Sequence, residues 1–189
     1  VTRIIAGFAG STTLGVPKSG TRPTSDRVRE ALFSALEARD EVNGLRVADL
    51  YAGTGALGLE AASRGASHVT LVEKGQQAAR VCRANAALVV ARAPRGSAPT
   101  VAVSAQAVRS YLHHAPARSL DLVLIDPPYE LSDDDLRLDL EALVPALDED
   151  ALVVVERRAR SGEPGWPDGL ALESSKSYGD TVLWSARLQ

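Results

Sequence analysis

Val47-Ala48-Asp49-Leu50-Tyr51-Ala52-Gly53-Thr54-Gly55-Ala56-Leu57-Gly58 runs from a short apolar strand through a glycine turn into Leu59-Glu60-Ala61-Ala62, which reads as helix. The stretch contains a formal GxGxxG. The next apolar run, Val69-Thr70-Leu71-Val72, ends on an acid, Glu73. That acid falls about 20 residues past the turn, where a βαβ unit sets a carboxylate against a ribose. Gly53 and Gly55 suit a backbone that must approach a ligand closely and take positive φ, which a Cβ would oppose.

The glycine turn alone leaves two cofactors open, NAD and S-adenosylmethionine. Asp49 separates them. A dinucleotide site keeps the strand end uncharged so that a pyrophosphate can rest on the helix N-terminus. A carboxylate there repels phosphate and suits a ligand carrying an ammonium and a sulfonium.

A second site lies downstream, where the apolar run Leu122-Val123-Leu124-Ile125 leads straight into Asp126-Pro127-Pro128-Tyr129. A Pro-rich turn closing a strand explains the prolines. It does not explain a carboxylate and an aromatic ring beside them, which together suit chemistry on the amino group of a flat base.

Working outward, the pattern predicts strands at Arg46–Leu50, Val69–Val72, Thr100–Val103, Leu120–Ile125 and Ala151–Val155. Helices are expected at Ala56–Arg64, Gln76–Val89, Ala107–His113 and Ser132–Leu147. Such alternation implies a parallel sheet with helices on both faces. Leu170–Ser174 and Thr181–Ala186, joined across Tyr178-Gly179-Asp180, read as a closing antiparallel hairpin. The expected fold is α/β and Rossmann-like, a mostly parallel seven-stranded sheet with a C-terminal antiparallel hairpin, as in a class I S-adenosylmethionine-dependent methyltransferase. Ligands of such sheets bind beyond the carboxyl ends of the strands. Asp49, Glu73 and Asp126 all fall there.

Ser25 is placed to cap a helix with apolar positions Val28, Ala31, Leu32, Ala35 and Leu36. Ser132 followed by Asp133, Asp134 and Asp135 reads as another helix start, with negative charge at the positive end, and not as a metal cluster. Residues 1–22 alternate β-compatible runs with Gly, Ser and Thr and are expected to form a small hairpin-like extension, leaving 23–189 as the main domain.

The 189 residues suffice for one α/β domain with a core that needs no staples. A lone cysteine, Cys82, excludes an internal disulfide and sits in a helical stretch, so a buried thiol is expected rather than a nucleophile. His68, His113 and His114 show no metal-ligand spacing, and no metal site is expected. No stretch approaches the roughly 20 apolar residues of a membrane span. The glycine-broken opening Ile4–Gly10 is too short for a secretory segment, so a cytoplasmic protein is expected. No sustained apolar heptads mark a coiled-coil partner surface, and monomer is the default.

Charge is unevenly placed. Net charge is −3, yet residues 1–29 carry Arg3, Lys18, Arg22, Arg27 and Arg29 against Asp26 alone. A solvated arm accounts for such a cluster. Beside a base-modifying site, a phosphate-gripping extension accounts for it equally well.

Over nearly its whole length the chain resembles the RsmD family, bacterial methyltransferases that modify a guanine N2 in 16S ribosomal RNA of the small subunit. The resemblance is carried by Arg3-Ile4-Ile5-Ala6-Gly7, Arg22 to Phe33, Asp49 to Ala61, Ser63-Arg64-Gly65-Ala66 and the Asp-Pro-Pro-Tyr tetrad. The glycine turn and the tetrad are shared by many amino methyltransferases. The block from Arg22 to Phe33 is similar to a signature of this family, which makes Arg22, Asp26 and Arg29 candidates for RNA or active-site support.

The resemblance implies S-adenosylmethionine as cofactor, 16S ribosomal RNA in an assembled or partly assembled small subunit as partner, and Asp126, Pro127, Pro128 and Tyr129 as the catalytic set. Many methyltransferases place an acid after the third strand to bind the adenine amino group. Here the stretch reads Ser104-Ala105-Gln106-Ala107, where Gln106 can accept through its amide oxygen. Tyr51 is expected beside the cofactor, and Glu156 and Tyr178 near the cleft. A DNA adenine-N6 methyltransferase and a non-catalytic RNA-holding assembly protein are the competing readings. The first lacks a target-recognition domain in a chain this small. The second gives no physical reason to keep Asp126.

Overall fold

The computed structural model describes residues 2–16 and 25–189. In chain order the elements are α1 (Asp26–Glu37), β1 (Arg46–Leu50), α2 (Ala56–Ser63), β2 (His68–Val72), α3 (Gln76–Val90), β3 (Thr100–Ser104), α4 (Val108–Leu112), β4 (Leu120–Ile125), α5 (Asp133–Leu143), β5 (Leu147–Arg158), β6 (Leu170–Tyr178) and β7 (Thr181–Leu188). They build one seven-stranded sheet in the order β3-β2-β1-β4-β5-β7-β6. The strands from β3 to β5 pair in parallel, and β7 runs antiparallel to both of its neighbours.

The central strands are continuous apolar runs because both of their faces are covered. On β4, Leu122 and Leu124 face a core shared with α1, α2 and α3, while Val123 and Ile125 face one shared with α4 and α5. Ser25 caps α1 as expected, its Oγ accepting from the Val28 amide at 3.2 Å. Ser132 caps α5, accepting from the Asp135 amide at 3.1 Å.

Several element boundaries differ from the sequence expectation, and those of the last long helix and of β5 bear on the site. The last long helix ends at Leu143 instead of Leu147, where Val144–Ala146 tighten into a 3-10 turn around Pro145, which has no N–H to continue an α-helix. Leu147 then pairs with Leu120 and opens β5. At its other end β5 outruns its parallel neighbour. Pairing with β4 stops at Ile125 and Val155, whereas Glu156, Arg157 and Arg158 continue against Leu183, Val182 and Thr181 of β7. A periodicity argument ends the strand where the apolar run ends. The structure extends it with polar residues because β7 still supplies hydrogen-bond partners. This ribbon overhangs the carboxyl edge of the sheet.

The N-terminal segment is hairpin-like, closed by one isolated antiparallel bridge between Arg3 and Thr13. The boundary expected after residue 22, with Lys18 and Arg22, lies outside the described residues. The segment is no loose arm. Ile4, Ala9 and Leu14 are buried in the main core. The buried Glu60 of α2 accepts from the Ile5 amide at 2.7 Å and the Ala6 amide at 3.0 Å. Gly7 adopts φ +77°, and a Cβ there would stand 1.9 Å from the Ser63 carbonyl oxygen, so only glycine permits this contact. Asn85 of α3 accepts from the Gly15 amide at 2.7 Å and donates to the Thr54 carbonyl at 2.9 Å, tying the segment to the glycine turn.

Arg29 corrects the sequence expectation of an RNA-facing side chain. It is fully buried. Its guanidinium donates to the Arg3 carbonyl oxygen, donates to Asp26 at 3.0 Å and stands 3.8 Å from Glu60. Burial is the main influence on it and lowers its pKa, partly offset by Glu60 and Asp26. The charge holds the N-terminal segment, α1 and α2 together instead of reaching a polynucleotide. Arg27 and Arg3 remain at the surface, Arg3 standing 3.8 Å from Asp26.

Candidate active site

A cleft of about 850 Å³ opens beyond the carboxyl ends of β1, β2 and β4. That volume lies within the roughly 300–1,000 Å³ usual for small-ligand sites. Asp49, Glu73 and Asp126 line it, each from the end of a different strand, as does the whole Asp126-Pro127-Pro128-Tyr129 tetrad. The far wall is the β5–β7 overhang and the hairpin tip, with Glu156, Arg158, Tyr178 and Thr181.

The carboxylates are arranged by the backbone around them. Asp49 is almost wholly buried, and one of its oxygens accepts from the Gly58 amide at 2.8 Å. Gly58 must lack a side chain, because a Cβ would meet the Leu71 side chain at 2.3 Å and the Asp49 Cβ at 2.9 Å. Glu73 braces the glycine turn: one oxygen accepts from the Gly53 amide at 3.0 Å and the other from the Gly75 amide at 2.6 Å. Burial pushes the Asp49 carboxyl up to about 7; the Gly58 hydrogen bond opposes the rise, and the charges of Asp126 and Glu73 add to it. A floor with three crowded acids favours a cationic ligand and disfavours a phosphate.

Tyr51 lines the cleft from a left-handed backbone, φ 65°, rare for a bulky residue. Its hydroxyl donates to Asp139 of α5, which also accepts from Arg109 Nε at 2.7 Å. Burial and then this hydrogen bond raise the phenol's pKa. The anchor holds the strand-to-turn junction in its strained conformation.

Gly53 lines the cleft, whereas Gly55 faces inward. Gly55 has φ +80°, and a Cβ there would crowd the Cys82 Sγ at 2.9 Å. Its lack of a side chain serves the packing of α2, β2 and α3 behind the turn. Cys82 is buried, and burial raises its thiol pKa, as suits an inert core residue. Gln106 is absent from the lining; its amide donates to Ser104 at 2.7 Å and accepts from Ser110 at 3.3 Å. Val108 and Lys74 stand on that side of the cleft instead.

Tyr129 is 53% exposed, and the Arg158 guanidinium carbon lies 3.4 Å from its ring centroid. Sequence reasoning passed over Arg158 and its neighbour Arg160, which also lines the cleft. The available signal was the run Arg157-Arg158-Ala159-Arg160 directly after an apolar strand. It becomes meaningful only once β5 is seen to overhang the tetrad.

The strand order, the reversed β7 and the acid-floored cleft define a class I S-adenosylmethionine-dependent methyltransferase fold. Residues 2–187 match the family model described as conserved hypothetical protein 95, and the chain belongs to this family, the RsmD family. It is 34% identical over 184 residues to "Ribosomal RNA small subunit methyltransferase D" of Escherichia coli (strain K12), covering 95% of this chain and 86% of that protein. It is 29% identical over 186 residues to "Putative rRNA methyltransferase YlbH" of Bacillus subtilis (strain 168), covering 95% of each. Among solved structures, "Putative methyltransferase yhhF from Escherichia coli" superposes with a TM-score of 0.82 at 30% identity, covering 99% of this chain and 97% of that one. Among the described residues no helix is long and apolar enough to cross a membrane.

Proposed function

We propose that this protein transfers a methyl group from S-adenosylmethionine to the exocyclic N2 amine of a guanine in 16S ribosomal RNA, acting as a monomer on the small subunit or an assembly intermediate. The observation that carries the reading is the Asp126-Pro127-Pro128-Tyr129 tetrad at the end of β4, opening into the same cleft as Asp49 and Glu73. The name of the Escherichia coli relative supports RNA of the small subunit as the substrate.

The cleft suits the cofactor on the chemistry of its donors. Burial, with the nearby charges of Asp126 and Glu73 adding to it, raises the pKa of Asp49, and a ligand bearing an ammonium and a sulfonium relieves that crowding. Glu73, which lines the cleft with Tyr51 and Gly53, is the acceptor this reading assigns to the ribose hydroxyls. S-adenosylmethionine supplies an electrophilic methyl carbon on a positively charged sulfur.

This chain's residues make the amine a nucleophile. A purine amino group is a poor one because its lone pair is delocalised into the ring. Asp126 and the Pro127 carbonyl accept its two N–H bonds, which favours a pyramidal nitrogen with its lone pair turned to the methyl. With S-adenosylmethionine bound, the N–C bond would form as the S–C bond of the cofactor breaks, and Asp126 or water would take the excess proton. The methylated ammonium is acidic, so orientation and electrostatics outweigh basicity. Pro127 and Pro128 remove two competing N–H donors and stiffen the turn. Tyr129 presents a ring for stacking on a base drawn out of its own helix, a contact worth roughly 1–3 kcal/mol.

The test is transfer of labelled methyl to small ribosomal subunits from a strain lacking the gene, with nucleoside identification after digestion. Label at one site in N2-methylguanosine is expected. Label only in adenine or in added DNA overturns the target. No label despite measurable cofactor binding overturns the catalytic reading.

A further inference from the structure

The cleft is an unfavourable place for a polyanion. Among the described residues Asp49, Glu73, Asp126, Glu130, Glu156 and Asp180 line it, against three cations: Lys74, Arg158 and Arg160. Lys74 follows Glu73 on the β2 side. Arg158 and Arg160 stand by the tetrad and also line a smaller hollow that shares Asp126, Pro127, Pro128 and Tyr129 with the main cleft.

The two arginines that end β5, Arg157 and Arg158, and Arg160 in the 3-10 turn just beyond are not equivalent. Arg157 has a side chain only 9% exposed and forms an ion pair with Asp133. The ion pairs among the described residues include neither Arg158 nor Arg160. Arg158 instead lies face-on to Tyr129. Stacking uses the flat face of a guanidinium and leaves its in-plane N–H donors able to grip an oxyanion in bidentate fashion. The same side chain can therefore hold the ring and bind a phosphate.

We propose that Arg158 and Arg160 form a phosphodiester-binding subsite at the rim of the cleft, taking the RNA backbone beside the target base while Arg158 holds the Tyr129 ring in place. The proposal deepens the RNA reading above and rests on it. Division of charge gives it physical sense: carboxylates on the floor receive the cationic cofactor, and guanidiniums on the overhanging wall receive the anionic strand. The stack couples the two tasks, because the arginine that meets the phosphate also fixes the ring against which the base would lie.

The experiment measures affinity for a fluorescein-labelled short single-stranded RNA containing guanine, across a series of KCl concentrations. It compares wild type, Arg158→Ala, Arg158→Lys and Arg160→Ala. Methyl transfer to small subunits runs in parallel, and calorimetric cofactor affinity reports that each variant is folded. Each alanine variant should lower the slope of log affinity against log salt by about 0.7, the effect of one lost single-strand phosphate contact. Arg158→Lys should keep the slope, since the charge remains, yet lower kcat because the flat plate on Tyr129 is gone. Should Arg158→Ala fail to fold, Arg160→Ala and Arg158→Lys carry the test.

Alanine variants with wild-type slopes and wild-type methylation overturn the subsite. Reduced slopes uphold it, even where wild-type protein methylates no subunit, an outcome that overturns the functional reading alone. Wild-type protein that neither binds nor methylates RNA overturns both.

Discussion

Two arginine-bearing regions of this molecule carry similar charge and do opposite things with it. At the N-terminal side, Arg29 and Arg64 are spent on Glu60, inside a junction that joins the hairpin-like segment to α1 and α2. At the end of β5, Arg158 and Arg160 face the cleft beside the tetrad. The first region looks in sequence like a basic arm, and the second passes for the tail of a strand. Local charge density therefore says little about which charges are available. Availability depends on whether a carboxylate from elsewhere in the chain meets them in the fold.

The comparison breaks if the cleft is not where chemistry happens. Asp126→Asn keeps the size of the side chain and removes its charge. It should lower methyl transfer on the order of 10²–10³-fold with unchanged melting. Near wild-type turnover in a folded variant would remove the cleft from the mechanism.

Next in size is the inward-facing cluster. Glu60→Ala strips two buried guanidiniums of their shared partner and frees the Ile5 and Ala6 amides. Breaking a buried pair in this way costs about 3–5 kcal/mol. The expected result is a marked fall in denaturant midpoint, with cofactor affinity preserved in the protein that remains folded. A loss of RNA binding without a loss of stability would mean that this cluster, too, faces the substrate.

A smaller effect tests the electrostatics of the floor. Asp49 has a carboxyl pKa raised to about 7 in the folded protein. A raised acid binds its proton more tightly folded than unfolded, so its contribution to stability is full below the unfolded value near 4 and is lost as pH rises through about 7. A cationic ligand needs the ionised form. Between pH 5.5 and 7, S-adenosylmethionine affinity should rise by up to about tenfold per pH unit. Asp49→Asn should flatten the profile. Asp126→Asn should shift it to lower pH, because the Asp126 charge helps to raise Asp49. A profile that is flat in the wild type would show Asp49 already ionised.

The smallest effect belongs to Arg3, whose side chain is 61% exposed and 3.8 Å from Asp26. Arg3→Ala should change stability by less than about 1 kcal/mol, as for most surface pairs. If it instead destabilises as strongly as Glu60→Ala, the division between inward and outward charge is drawn in the wrong place.

Much of the fold was legible because its signals are local. Strands such as Leu120–Ile125 are apolar runs that must be covered on both sides, and the Ser25 and Ser132 caps are set by residues three apart. The cleft acids were legible for a related reason: Asp49, Glu73 and Asp126 end three parallel strands, and a parallel sheet gathers its carboxyl ends on one edge. Gly55 and Gln106 show the limit. Both sit at positions a motif assigns to the ligand, yet Gly55 answers to Cys82 and Gln106 to Ser104 and Ser110.

By itself, then, the sequence determined the class of sheet, the edge on which the site lies and the acids that floor it, since each follows from periodicity and order along the chain. Tertiary structure alone decided that Arg29 is buried and that β5 runs on to Arg158 against β7. It likewise decided that an arginine from that overhang lies on Tyr129. Those outcomes depend on partners between 23 and 31 residues away in sequence, such as Thr181 for Arg158 on β7 and Glu60 for Arg29, and no local pattern records which distant group will arrive.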